Sequence, residues 1–191
     1  MPRFLALAAL LLAAPAFAQD APLVIEDVPT YSGGMMGGVG PFTLLSLRDG
    51  AIVVAGSATG EARADSASAS WDLGLRGTEV ILNGGASGPG GLRGLLAEMP
   101  YEAVTALPEG LAADGETECP RGAARVVCHG SGNGWYSYEE NGVQPTPGRT
   151  LVIARPDGSA VKVRFVDYVL GEADETGGRP RYVTLEVAPV E

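Results

Sequence analysis

One histidine, His129, and two cysteines, Cys119 and Cys128, are the side chains of this 191-residue sequence best suited to chemistry. His129 lies in the loop Cys128-His129-Gly130-Ser131-Gly132-Asn133, just before Trp135-Tyr136-Ser137-Tyr138. Neutral imidazole is a good iron ligand, and neighbouring aromatic rings can cover the face of a flat macrocycle. His129 is therefore the candidate metal ligand, and His129, Trp135, Tyr136 and Tyr138 form the candidate cofactor-binding set. A plainer reading leaves His129 as a surface-loop residue, with Trp135 in the core and the tyrosine hydroxyls at the surface. The thioethers of Met35, Met36 or Met99 are soft enough to complete a coordination sphere. Met35 and Met36 equally suit an ordinary flexible arm.

Cys119 and Cys128 enclose eight residues. In an oxidising compartment they are expected to pair, stabilising the fold by roughly 2.7 kcal/mol through loop closure. A metal site built from both thiolates and His129 is the alternative, although the C-x-x-C spacing of zinc knuckles is missing. No Gly-x-Ser-x-Gly motif accompanies the histidine, and the acidic runs lack the ligand spacing of an EF-hand. No catalytic residues are expected. The chain reads as a non-enzyme.

The elements that must position these residues are signalled by composition. Thirteen basic residues against 23 acidic ones give a net charge of −10, and only Lys162 is a lysine. Such a chain repels phosphate backbones, which argues against a nucleic-acid partner. The 28 glycines and 14 prolines disfavour a helical bundle, while 46% apolar residues suit a globular core.

Residues 1–18 read as a signal peptide. Arg3 is followed by an apolar run and a small-x-small site ending at Ala18, too short a run to span a bilayer. The product is expected to be periplasmic or secreted, with no transmembrane segment. Residues 19–41 read as a flexible Gly/Pro/Met-containing arm, and 42–191 as one domain.

Within that domain the pattern is all-β, with antiparallel hairpins. Arg48-Asp49-Gly50 and Arg155-Pro156-Asp157-Gly158 are hairpin turns. Trp71, Leu73 and Leu75 alternate as a half-buried strand returning through Glu79 to Leu82. Val161, Val163 and Phe165 alternate in another strand, as do Val183, Leu185 and Val187. A short helix is expected around Leu92 to Met99. The glycine-rich stretch Asn83 to Gly94 lacks either phosphate-binding motif, and reads as backbone turning tightly against its neighbours.

Three of these segments, in order, resemble the signatures of the HmuY family of exported haem (heme)-binding proteins. The first is Trp71-Asp72-Leu73-Gly74-Leu75-Arg76 with Asn83-Gly84-Gly85-Ala86-Ser87-Gly88. The second is Gly134-Trp135-Tyr136-Ser137-Tyr138, and the third Val152-Ile153-Ala154-Arg155-Pro156-Asp157-Gly158 through Asp167-Tyr168. The resemblance covers roughly Phe42 to Pro189. It implies a mainly β fold, haem capture outside the cytoplasm and delivery to a TonB-dependent outer-membrane receptor. It also implies two axial ligands, histidine or methionine, at the edges of a β-built cleft. Here Glu140 follows the Trp-containing strand where a ligating histidine can occur, and a single histidine excludes a bis-histidine site within one molecule. The expected function is non-catalytic haem or tetrapyrrole binding in iron uptake. The alternative is a cell-envelope β-scaffold of the same fold that docks a partner and binds no haem.

Overall fold

The computed structural model describes residues 21–30, 41–54, 67–172 and 179–191. The segment 1–18 read as a signal peptide, Met35 and Met36 lie outside the described residues. No helix among the described residues is long and apolar enough to cross a membrane.

The chain builds two antiparallel sheets and a hairpin. The larger sheet runs β1 (Leu23–Pro29), β11 (Arg181–Val190), β10 (Ala160–Leu170), β9 (Thr150–Ala154) and β6 (Arg93–Ala97). The smaller runs β3 (Ile52–Val54), β2 (Thr43–Leu45), β4 (Leu73–Arg76) and β5 (Glu79–Leu82). The hairpin pairs β7 (Tyr136–Glu139) with β8 (Gly142–Pro145). The expected all-β, antiparallel class is what the chain adopts, and both Asp-Gly turns join adjacent strands.

Alternation sets which faces meet. Val161, Val163 and Phe165 of β10 and Val183, Leu185 and Val187 of β11 point inward onto Leu45, Leu73, Leu75 and Leu82 of the smaller sheet. Lys162 and Arg164 point outward, against the 3₁₀ turn Tyr101–Ala103. A bulge at Val166 shifts the register, since Phe165 faces Leu185 but Asp167 faces Thr184. The extra residue returns Tyr168, opposite Val183, to the inner side.

Three expectations are corrected. The arm 19–41 contributes β1, paired with β11, with Ile25 and Val28 buried. Asp27, at φ +51°, sits in a bulge that separates the two apolar residues by three positions and hides the period of two. Leu92 to Met99 is not helical but contains β6, where Gly94 leaves room for the Val152 carbonyl, 2.9 Å from where its Cβ would stand. The Trp71 segment is not half-buried. A bend at Asp72 sends Trp71 to a second small cluster with Leu44, Val54 and Ile81, and Leu73 and Leu75 to the main core.

Buried polar side chains join the sheets. Asp72 accepts Nε and Nη2 of Arg155 at 2.9 and 3.0 Å, and the Leu47 backbone N–H at 2.8 Å. Asp114 accepts the backbone N–H groups of Leu82 and Val126 and the hydroxyl of Ser87. Asn83 donates to the carbonyls of Ser68 and Trp71 and accepts from Gly90 N–H, closing the glycine-rich loop around itself. Gly84, Gly88 and Gly90 have no space for a Cβ, so that loop is the tight turn expected of it.

Removing one partner of a buried ion pair strands the other charge. Asp72→Ala is expected to cost about 3–5 kcal/mol in urea unfolding; a loss below about 1 kcal/mol would show the pair to be dispensable.

Candidate functional site

The residues singled out by sequence converge on the turn between β4 and β5. Gly77 donates its N–H to the Thr30 carbonyl, fixing that turn beside the end of β1. Thr78 then meets three of the candidates. Its carbonyl accepts the Trp135 indole N–H at 2.9 Å, and its hydroxyl lies 3.4 Å from His129 Nε2. It also hydrogen-bonds Tyr136, an interaction that opposes the rise in that phenol's pKa.

From there the rings form a continuous row. Ring centroids of His129 and Tyr136 lie 6.4 Å apart, Tyr136 and Trp135 5.3 Å, and Tyr136 and Tyr138 5.7 Å. Trp135 stacks on Phe165 at 4.3 Å and tilts against Tyr168 at 5.9 Å. Trp135 and Tyr136 are each 2% exposed, whereas Tyr138 is 65% exposed and His129 lies at the surface. The row thus runs from a core anchor to an open rim bearing an imidazole and a phenol.

The loop carrying His129 is tethered on both sides. Cys119 and Cys128 form a disulfide, as expected. Both sulfurs are consumed by that bond, so the alternative thiolate metal site is not formed. Gly134 packs on the Cys128 carbonyl, 2.1 Å from where a Cβ would stand, and its own carbonyl accepts from Arg149. Ser131 Oγ accepts the Tyr138 N–H at 2.8 Å, and Gly132 donates to the Tyr136 carbonyl. Among the described residues no group of three or more His, Cys, Asp or Glu side chains could hold an ion. Met99 is 42% exposed, and its carbonyl accepts from Thr150.

Thr78, Phe165 and Tyr168 complete the row but were not predicted from sequence. Phe165 was legible only as a strand position. Tyr168 joins it through the β10 bulge, which no local pattern announced.

No family model and no curated protein matches the chain. Several solved structures do, at low identity. A candidate lipoprotein from Bacteroides fragilis is 18% identical at a TM-score of 0.44, over 78% of this chain and 83% of that one. An apo HmuY analogue from Tannerella forsythia is 14% identical at 0.41, over 90% and 99%. A candidate HmuY-like haem-binding protein from Bacteroides vulgatus is 14% identical at 0.44, over 79% and 86%. At such identity and superposition they assign neither a family nor a ligand.

Burial shapes the alkaline behaviour of the row. It raises the Tyr136 phenol and pushes Tyr168 up to about 12, from 10.0. In the unfolded chain both ionise near their ordinary value, so their contribution to stability is complete below pH about 10 and lost as pH rises toward 12. Tyr168→Phe is expected to flatten the fall of unfolding free energy across that window; an unchanged slope would show that Tyr168 does not carry it.

Proposed function

We propose that this chain is an exported, non-catalytic binding domain of the HmuY type, and that its ligand is haem or a related tetrapyrrole taken at the His129 rim. The observation that carries this reading is the surface imidazole of His129 beside the ring row of Tyr136, Tyr138 and Trp135. These residues suit the group: His129 is exposed, with its Nε2 3.4 Å from the Thr78 hydroxyl and its ring 6.4 Å from that of Tyr136. When bound, haem would supply an iron able to accept an imidazole nitrogen. His129 would hold that iron, and Tyr138 would lie against the macrocycle. Trp135 and Tyr136, locked to Thr78 and Phe165, would keep the rim from yielding. The resemblance of Trp71–Gly88, Gly134–Tyr138 and Val152–Tyr168 to HmuY signatures supports the same reading. Uptake would end at a TonB-dependent outer-membrane receptor.

The second reading is a cell-envelope scaffold that docks a protein and binds no haem. It is favoured by Val166, Val169 and Leu170, all exposed at the far end of β10.

Haemin added to the purified protein is expected to give a shifted, saturable Soret band, and His129→Ala to weaken binding at least about tenfold. No spectral change at micromolar protein would exclude haem and leave the scaffold. A band unaffected by His129→Ala would remove His129 as the ligand.

A further inference from the structure

On the outer face of the larger sheet, away from the His129 rim, the 3₁₀ turn and the end of β11 enclose an open cleft of about 510 Å³, within the size range of small-molecule sites. We propose that this cleft binds di- or tripeptides with free termini. The proposal is independent of the haem reading.

The cleft holds the chain's one lysine. Lys162 Nζ donates to the Tyr101 and Val104 carbonyls at 3.0 and 2.8 Å, which leaves one of its three N–H bonds. It also sits 4.7 Å from the centre of the Tyr101 ring, as does the Arg164 guanidinium. Tyr101, which lines the cleft, is 6% exposed, yet its hydroxyl has no hydrogen-bond partner among the described residues. A buried hydroxyl without a partner is uncommon in a folded protein and asks for an acceptor. Lys162 and Tyr101 thus each keep a donor without an acceptor among the described residues.

Acceptors stand nearby. Arg164 binds Glu102 Oε1 and Glu186 Oε2, and Glu191 is a third carboxylate lining the cleft. Ala188 and Pro189 give the cleft apolar lining between the charged groups. The ligand that matches is a zwitterion: a carboxylate accepting from Lys162 and Tyr101, an ammonium donating to Glu186 or Glu102, and a short backbone over Ala188 and Pro189. A simple anion would leave the carboxylates repelling it, and a simple cation would face Lys162. Two or three residues extend at most about 7–11 Å, which suits a cleft of this size.

Alanyl-alanine titrated into ¹⁵N-labelled protein is expected to shift the amides of Thr105 and Ala188 saturably. Capping either the amino or the carboxyl end should weaken binding at least about tenfold. Ala188→Trp, which fills the floor from an outward-facing strand position, should abolish the shifts without altering the melting curve. Tyr101→Phe should weaken them, and His129→Ala should leave them unchanged. Absence of saturation at about 10 mM peptide would overturn the proposal. So would equal binding of the capped peptides, or shifts that survive in Ala188→Trp.

Discussion

Two sheets that meet through alternating aliphatic side chains can slide over one another, because dispersion contacts have little directional preference. The bidentate pair between Asp72 and Arg155 removes that freedom. Asp72 lies at the bend entering β4 and Arg155 just beyond β9, so one carboxylate gauges the position of both sheets while also holding Leu47. The pair's net energy is small once desolvation is counted, but its geometry is unforgiving. Asp114 repeats the device from β5 to the segment before Cys128, and Asn83 does so within the glycine-rich loop. The functional rim depends on this alignment. Thr78 belongs to the smaller sheet, whereas Phe165 and Tyr168 belong to the larger, and Trp135 touches all three.

What the sequence made legible follows from locality. The hairpins β2–β3 and β9–β10 are announced by Asp-Gly turns, and Gly50 and Gly158 hold the positive φ those turns need. β10 and β11 are announced by strict alternation. β1 and β6 were lost where a local feature broke the signal: a bulge at Asp27 in one, a glycine inside a short edge strand in the other. Trp71 was read onto the wrong face because a single bend at Asp72 inverts the pattern. Each miss comes from a local break in the backbone that the alternation of side chains does not announce.

The site divides in the same way. His129, Trp135, Tyr136 and Tyr138 are close in sequence and proved close in space. Thr78 is more than fifty residues from its ring partners, and a threonine in a hairpin turn carries no chemical signature. The disulfide lay between these cases, since cysteine spacing suggested the pairing but not that Gly134 would rest on the Cys128 carbonyl.

The pairing of β1 with β11 also governs how the chain assembles. Leu23 meets Val187 and Pro29 meets Tyr182, so one edge of the larger sheet is a contact between the two ends of the described chain. A polypeptide released from its amino end cannot complete this sheet until β11 is free. Non-local closure of this kind slows folding, and keeps a chain extended for as long as its tail is held elsewhere. The edge strand β1 is therefore the last part of this sheet that can close, after β11 has paired with β10.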